Sequence, residues 1–437
     1  MGPECSNGFK VPIKISRRRL KPIRSCRKKW HDHIGLAFGW RSGDCKNLDY
    51  RREIDGLRAV SVISVVIYHA DFVLGGMKQL PGGFVGVDVF FVISGFLITQ
   101  LIAGELTARR FSILRFYERR ARRILPALLF VILSSTPFAL ALMDPEAQQE
   151  FAGSVVSTLL FFSNFFFWFQ DSYATEPSQL KPLLHTWSLS VEEQFYIFFP
   201  PLMMALSVLA FRIRLMLLLA LALLSLLLAQ YLSTRFVDAN FFVTATRAWE
   251  LICGGLLALI PASRKPRLGL LGRYLPTLGL GLILGAIITF SDTMPHPSFY
   301  TLIPVLGAVF VIGWANPNDP ATRLLSSRPF VGIGLISYSF YLWHFPVFAF
   351  ARISSTQDIS AMVMIVLIIL SGLMAAVTWR WVEQPFRNRN QISTSGLIYG
   401  CGGLSAVFLV VASSVALRDV EQVYRSIPVV RVGSRRW

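Results

Sequence analysis

The chain has 437 residues, of which 54% are hydrophobic and only 16% are charged, with a formal net charge of +18. Because soluble domains carry about 25% charged residues, this composition excludes an ordinary soluble protein and predicts a polytopic membrane protein. Five cysteines without a C-x-x-C pair and six scattered histidines predict neither a disulfide framework nor a metal site. No P-loop or G-x-G-x-x-G motif supports ATP-driven or dinucleotide-dependent chemistry.

Positive charge is concentrated at the N-terminus, where residues 1–52 contain fourteen Lys and Arg against four Asp and Glu. Basic tails can bind nucleic acid, but a basic arm beside a first apolar helix more simply holds that end in the cytoplasm. We therefore interpret residues 1–49 as a cytoplasmic tail, or as an extension from an over-long start site, and expect no nucleic-acid partner. His31 and His33 in this tail are more simply solvated than metal-binding.

Eleven apolar runs are long enough to span a bilayer, and they lie near 57–74, 84–104, 124–143, 188–210, 213–232, 242–260, 274–290, 299–315, 330–350, 360–382 and 396–417. A further run, 151–169, is bounded by acidic and polar loops. The basic loops all fall on the side of the basic tail only if 144–187 makes no net crossing. The sequence therefore predicts an all-α membrane bundle of about eleven transmembrane helices, with 151–169 re-entrant or at the outer interface. Arginines after the last run leave twelve crossings open.

Arg58 and His69 are the first candidates for chemistry because they share one helix face. They lie eleven residues apart, which is about three helical turns and about 16 Å. Ionisable groups in hydrocarbon are costly and usually face a protein interior or a wet cavity. A neutral histidine there suits a general base for a hydroxyl. The alternative is a snorkelling arginine and a histidine bonded to a neighbouring helix. We also expect Asp55 to cap this helix.

Residues 81–99 combine a carboxylate with glycines that permit close helix approach, namely Gly82, Gly83, Gly86 and Gly95. Asp88 lies within or at the edge of the bilayer, where it lines a pocket, caps the helix or pairs with a basic residue. Arg247 and Glu250, at i,i+3 in a later run, are interpreted as a structural pair.

Arginines crowd residues 115–123 at the cytoplasmic start of the third run. Arg120 and Arg123 are one turn apart, as are Arg119 and Arg122, and such spacing converges two guanidinium groups on one anion. Positive-inside topology explains part of this charge. A phosphorylated cofactor arriving from the cytoplasm would also meet this surface, so Arg119, Arg120 and Arg123 are cofactor-binding candidates.

Two later runs supply further pocket candidates. In 185–200 the adjacent Glu192 and Glu193 lie inside an apolar helix, and we expect one of them to pair with a buried arginine. In 337–347 Ser337 and His344 are accompanied by aromatic residues, which usually anchor helix ends at the membrane interface. We retain Glu193, Ser337 and His344 as pocket candidates beside Asp88.

Taken in order, these segments resemble the membrane acyltransferase-3 family, the bacterial O-acyltransferases of cell-surface glycans. The matching strings are DGLRAVSVISVVIYHA, GGFVGVDVFFVISGFLIT, FYERRARRILPA, HTWSLSVEEQFY, SYSFYLWHFP and WVEQPFR. They cover about residues 50–388, so residues 50–388 are assigned to the acyltransferase-3 domain and 389–437 to an additional helix and short tail. Six ordered strings make the match far more specific than any one of them.

The resemblance implies transfer of an acyl group, commonly acetyl, from coenzyme A to a sugar hydroxyl, without a metal. By the family's motifs His69 would be the catalytic histidine, Arg58 its partner, and Arg120 and Arg123 the contacts to coenzyme A phosphates. Some members add an SGNH-type domain after an eleventh helix. This chain ends about twenty residues after its last run, so such a partner is expected to be separate or absent.

We therefore expect an enzyme of the bacterial inner (cytoplasmic) membrane, surrounded by lipid, which acylates an envelope polysaccharide such as lipopolysaccharide O-antigen or its lipid-linked precursor. One rival is a transporter of a sugar or lipid-linked precursor, although no repeated halves are visible in the sequence. Another is a non-catalytic partner that tethers a different envelope enzyme.

Overall fold

A computed structural model of the chain describes residues 50–74, 77–171, 178–260 and 269–416. These residues belong to one compact unit, Asp49–Trp437. The predicted basic tail with its histidine pair, and the arginines that follow the last apolar run, lie outside the described residues. The described part is almost entirely helical, with one antiparallel ribbon of two-residue strands, β1 Val73–Leu74 and β2 Met77–Lys78.

The helices, numbered in chain order, are α1 Arg52–Ala70, α2 Gly86–Thr107, α3 Ile113–Leu142, α4 Pro145–Leu159, α5 Ser163–Asp171, α6 Thr186–Ser207, α7 Phe211–Leu232, α8 Val237–Phe242, α9 Thr244–Leu259, α10 Gly269–Thr289, α11 Leu302–Trp314, α12 Pro320–Leu325, α13 Arg328–Ile353, α14 Ala361–Val377, α15 Gln384–Arg387, α16 Thr394–Leu397 and α17 Gly403–Ala416. Short 3₁₀ segments occur at Gly83–Val85, Ser178–Leu180 and Phe299–Thr301, and π-helical turns at Thr378–Glu383 and Ile398–Gly402.

Within the described residues, eight helical segments are long and apolar enough to cross a membrane: Gly83–Thr107, Ile113–Leu142, Phe211–Leu232, Val237–Leu259, Gly272–Thr289, Arg328–Ile353, Ala361–Arg387 and Thr394–Ala416. Phe299–Trp314 is apolar but shorter. The other two predicted crossings correspond to α1 and α6, which carry the polar residues described below. The all-α polytopic class is confirmed, and the count of eleven crossings stays a prediction.

The run 151–169 is broken into two helices, neither of which has the length of a membrane span. Asp144 caps α4, since its carboxylate accepts the backbone N–H of Ala147 at 2.9 Å. The chain turns at Phe161, whose φ of 54° lies in the left-handed region. The side chain of Gln194 on α6 donates to the Phe161 carbonyl at 2.8 Å and fixes this turn.

Contacts along α3 and α13 advance in step, so these two helices run in the same direction. The Tyr338 hydroxyl donates to the Ile124 carbonyl at 2.9 Å, and further along the rings of Phe130 and Trp343, then of Phe138 and Phe350, are in contact.

α1 runs parallel to α13 as well, whereas α6 runs the opposite way. Gly334 of α13 packs on the Asp55 carbonyl near the start of α1, and His344 meets His69 at its end. α6 begins beside Tyr341, at that same end. Because α3 also ends there, segment 144–187 starts and finishes at one end of the bundle, as expected for a segment without a net crossing.

Glycines allow α2 and α9 to pack backbone to backbone. A Cβ on Gly95 would lie 1.8 Å from the Leu251 carbonyl oxygen, and one on Gly254 would lie 2.0 Å from that of Val92. Such approaches are possible only without a side chain, so the close packing predicted for Gly95 is confirmed. Contacts under 3.0 Å at Gly82, Gly83 and Gly86 confirm it for the other three.

Candidate active site

His69 and His344 meet at one end of the bundle. Nδ1 of His69 lies 3.1 Å from Nε2 of His344, and the two rings stack with centroids 5.3 Å apart. Phe345 packs edge-on against His69 at 5.0 Å. The guanidinium of Arg352 donates to the His69 carbonyl at 2.7 Å and ties the end of α1 to α13. The structure thus brings two of the predicted site residues into direct contact.

A third histidine, His185, completes what we call the histidine cluster: His69, His185 and His344. The His185 ring lies 5.6 Å from that of His344 and stacks on Phe345 at 5.3 Å. The Tyr341 hydroxyl hydrogen-bonds to Ser188 at 2.6 Å and donates to the His185 carbonyl at 2.9 Å. His185 and His344 are almost fully buried, so α1, α6 and α13 enclose this cluster together.

Ser337 lies on the same side of α13 as these groups. Its position is one turn before Tyr341 and about two turns before His344, and helical periodicity puts all three on one face. The side chain is 2% exposed. It is therefore placed along the interior face that leads away from the histidine cluster.

The opposite part of the bundle holds the arginine cluster: Arg58, Arg120, Arg123 and Arg387. Arg123 lies within electrostatic range of the other three. Four carboxylates surround this group, Asp55, Glu192, Glu193 and Glu383, and Arg387 pairs with Glu383 at 2.5 Å. The arginines therefore have an equal number of carboxyl groups nearby, which lowers the cost of burying guanidinium ions.

Arg123 differs from its neighbours because no described residue forms a hydrogen bond or ion pair with it. Its side chain is half-buried, so it is accessible to a ligand. Arg120 packs over the Tyr196 ring at 5.6 Å, and its buried Nε has no hydrogen-bond partner among the described residues. The same holds for Nε of Arg58. Guanidinium donors without protein partners suit a polyanionic ligand.

Asp55 does not cap α1, and that expectation was wrong. The helix begins three residues earlier, at Arg52, because Glu53 and Asp55 in its first turn favour the positive end of the helix dipole. Asp55 is buried and lies 3.6 Å from Nη1 of Arg58. The Tyr50 hydroxyl donates to it at 2.6 Å, and burial together with that carboxylate raises the pKa of Tyr50, which keeps this donor protonated.

Glu192 and Glu193 both approach the arginine cluster. Glu192 accepts hydrogen bonds from the hydroxyls of Ser94 and Tyr196. Glu193 is buried and within electrostatic range of Arg120 and Arg123, without a direct ion pair in the part of the chain that the structure describes. We predicted that one of the two acids pairs with a buried arginine. Glu193 lies near Arg120 and Arg123, but it forms no direct ion pair with either of them.

Arg119 and Arg122 point to other partners than Arg120 and Arg123. Arg119 forms an ion pair with Glu105 of α2 at 3.0 Å. Arg122 is 3% exposed and donates to Glu118 and to the carbonyls of Phe386 and Ile392. The two pairs that spacing alone treated alike are thus separated, with only one of them in the cluster.

Asp88 lies in a separate buried ionic group. It pairs with Arg247 at 2.9 Å, Arg247 reaches Glu250 at 3.4 Å, and Nε2 of His296 lies 3.4 Å from Asp88. Burial lowers the pKa of His296, and Asp88 opposes that shift. The structure confirms that Asp88 pairs with a basic residue, one of the alternatives considered for it, and that Arg247 pairs with Glu250. It does not bring Asp88 into the histidine cluster.

His185 and Arg387 were not among the predicted site residues, whereas Tyr341 belongs to the aromatic residues predicted to accompany Ser337 and His344. The spacing His185, Ser188, Glu192 is i, i+3, i+7 and marks one polar face of α6, which is a signal that helical periodicity contains. Arg387 had no comparable signal, because its charge reads as topological. Among the described residues no group of three His, Cys, Asp or Glu side chains has metal-binding geometry, and Cys253 and Cys401 are free thiols.

The motifs that form these clusters belong to a segment that matches a known protein family. The family profile of the acyltransferase-3 acyltransferase domain matches residues 51–382. The chain belongs to the acyltransferase-3 family. This confirms the resemblance drawn from the six motifs. No solved structure matches the chain significantly.

Two curated proteins with O-acetyltransferase names are similar to this chain over most of its length. "O-acetyltransferase OatA" of Staphylococcus aureus (strain NCTC 8325 / PS 47) is 32% identical over 355 residues, covering 78% of this chain and 58% of that protein. "Putative peptidoglycan O-acetyltransferase YrhL" of Bacillus subtilis (strain 168) is 31% identical over 366 residues, covering 79% and 56%. The chain thus spans a little over half the length of these relatives.

Proposed function

We propose that this chain transfers an acyl group, most simply acetyl, from a coenzyme A thioester to a sugar hydroxyl of a cell-envelope polysaccharide. The observation that carries the proposal is the pair of clusters on one helix. His69 and its partner histidine lie at one end of α1, and Arg58 joins the arginine cluster near the other, about 16 Å away along the axis. We further propose that the arginine end faces the cytoplasm, together with the N-terminus, in the cytoplasmic (inner) membrane.

The shape of coenzyme A suits the separation between the arginine cluster and the histidine cluster. Its phosphates and its thioester lie at opposite ends of a long flexible arm, so phosphates bound at the arginine cluster leave the reactive carbon free to enter the bundle. Arg120 and Arg123 supply donors to the phosphates, while Arg119 contributes from the rim through its charge. Glu193 and Ser337 then line the route from the arginine cluster toward His69.

The reaction needs one base and one group that steadies developing charge. His69 removes the proton from the sugar hydroxyl as its oxygen bonds to the thioester carbon. The carbon–sulfur bond breaks, and the thiolate leaves with the proton that His69 returns. The products are the sugar ester and free coenzyme A, so atoms and charge balance without a metal. Arg58 is assigned to orienting the donor and offsetting negative charge.

The acceptor is proposed as an envelope glycan or its lipid-linked precursor. The name of the Bacillus relative points to peptidoglycan, and O-antigen of lipopolysaccharide is the other envelope polysaccharide that we consider. A separate SGNH-type protein is a candidate partner for delivery of the acyl group.

Purified protein in liposomes tests this function. We expect acceptor-dependent release of coenzyme A, and a loss of about 100- to 10,000-fold in His69→Gln, because general-base catalysis contributes about that factor. Peptidoglycan fragments and O-antigen, supplied in parallel, identify the acceptor class.

The transporter and tether alternatives make different predictions. Movement of a sugar or lipid-linked solute without thioester cleavage would contradict the enzyme. Equal O-acylation of surface glycans in deletion strains carrying wild-type or His69→Gln protein would remove the catalytic role of His69.

A further inference from the structure

We propose that His344 is a positioning residue which holds His69 in the single tautomer that leaves Nε2 as the base. The inference rests on the proposed function in one respect, the role of His69 as base. It goes further by naming the reactive nitrogen and the residue that selects it.

The proton on His344 is located by its backbone partner. Nδ1 of His344 lies 2.6 Å from the Tyr341 carbonyl oxygen, one turn earlier in α13. A carbonyl oxygen only accepts hydrogen bonds, so Nδ1 must carry the hydrogen. A neutral imidazole has one donor and one acceptor nitrogen. Nε2 of His344 is therefore an acceptor.

The proton on His69 follows from the same rule. Its Nδ1 lies 3.1 Å from that acceptor nitrogen of His344, so Nδ1 of His69 carries the hydrogen and donates it. The remaining nitrogen, Nε2, keeps its lone pair. The Tyr341 carbonyl thus fixes the tautomer of His344, and His344 in turn fixes the tautomer of His69. Outer hydrogen bonds orient catalytic and metal-bound histidines in the same way.

The neutral form of both rings is the one that burial favours. His344 has no exposed surface, and two adjacent imidazolium ions there would be strongly disfavoured. When His69 accepts a proton at Nε2, its Nδ1–H still donates to His344, and the bond becomes charge-assisted. The pair therefore needs no rearrangement during proton transfer.

Packing holds the two rings in register. Phe348 contacts the His344 ring at 5.9 Å, and Phe345 contacts both histidines at 5.0 and 6.0 Å. Arg352 fixes the His69 backbone. Ring flips that would exchange the two nitrogens of His69 are resisted on several sides.

Two substitutions at residue 344 separate hydrogen bonding from bulk. His344→Gln keeps a carbonyl that accepts from Nδ1–H of His69, whereas His344→Leu fills a similar volume without an acceptor. We expect kcat to fall by about 100- to 10,000-fold in His344→Leu. The lower end is the scale of losing the outer hydrogen-bond partner of a functional histidine, and the upper end is that of the wrong tautomer in serine proteases. The KM for the thioester should change little, and His344→Gln should recover most of kcat.

Nitrogen-15 NMR of protein labelled at histidine reads the tautomer without requiring activity. The His69 resonances are assigned by their loss in His69→Gln. We expect Nε2 unprotonated and Nδ1 protonated in the wild type and in His344→Gln, and proton occupancy at Nε2 in His344→Leu.

The results distinguish this inference from the proposed function. A wild-type His69 protonated at Nε2, or a His344→Leu spectrum identical to wild type, overturns the inference whatever the activity. Full kcat in a folded His344→Leu protein also overturns it. Full activity in His69→Gln instead removes His69 as the base, and with it the proposed chemistry.

Discussion

Single residues of the same type act differently in this protein because their partners differ. Four arginines of α3 lie within residues 119–123, little more than one helical turn. From spacing, three of them were assigned a common phosphate-binding role. In the structure Arg119 pairs with Glu105, and Arg122 donates to backbone carbonyls of the segment after α14. Arg123 has no ion-pair partner among the described residues. Spacing identifies a face of a helix, but it does not identify which charge is already neutralised.

Arg123→Ala should weaken donor binding more than Arg119→Ala in the same helix. Losing charge-assisted hydrogen bonds costs about 1.5–3 kcal/mol, which corresponds to an increase of about 10- to 100-fold in the KM for the thioester. Arg120→Ala should behave similarly. Initial rates across donor concentrations, in membranes with equal amounts of inserted protein, measure the effect.

Matched variants on the same helix define what would contradict this prediction. Arg123→Lys keeps the charge but not the planar fork and should give an intermediate KM. Arg119→Ala should have a smaller effect, because its charge is shared with Glu105. If Arg119→Ala and Arg123→Ala raise KM equally, binding follows total charge; if Arg123→Ala prevents insertion, its role is topological.

The helices pack backbone to backbone at positions where one of them has a glycine. α2 and α9 touch through Gly95 and Gly254, and α13 touches α1 where Gly334 packs on the Asp55 carbonyl. The second contact brings α13 against α1 and so sets the approach of His344 to His69. The close approach of α2 was predictable from its glycines, whereas the identity of its neighbour was not, since Gly95 and Leu251 are far apart in sequence.

Gly95→Ala should destabilise the protein without altering any polar group. The new methyl would lie 1.8 Å from the Leu251 carbonyl oxygen, so α2 and α9 must separate, and overpacking of this kind costs about 1–3 kcal/mol or more. We expect a lower Tm in detergent, measured by loss of monodisperse protein on heating.

Gly281→Ala is the matched control in α10, because nothing lies within 4 Å of its added Cβ. Its Tm should be unchanged or slightly higher, since alanine has the greater helix propensity. Equal Tm values for Gly95→Ala and Gly281→Ala would show that the close contact between α2 and α9 does not exist.

At the scale of the whole described bundle, the histidine cluster and the arginine cluster are linked by α1 and α13, which run parallel, and by α6, which runs the opposite way. Contacts alone show that α1, α3 and α13 end where α6 begins, and from the charge in the loops we propose that the histidine end faces outside. Loop residues on the two sides should therefore differ in their access to external reagents.

Single cysteines test this orientation in a variant whose five native cysteines are replaced. Thr293→Cys, exposed after α10, should react with a membrane-impermeant maleimide in intact spheroplasts. Asn318→Cys, exposed after α11, should react only after permeabilisation. The reverse pattern would invert the bundle and place the histidine cluster toward the cytoplasm, which would remove the proposed route for the donor.

The sequence by itself determined the class of protein, its family and the positions of most helices and polar motifs. This was possible because a chain in lipid must satisfy its backbone within each helix, so hydropathy and helical periodicity are local signals. Only the tertiary structure decided which polar groups meet. His69 and His344 are 275 positions apart, and their contact depends on the parallel packing of α1 and α13, which no local pattern encodes. Other contacts between helices decided the rest: α2 pairs Arg119 of α3 through Glu105, and α9 pairs Asp88 of α2 through Arg247.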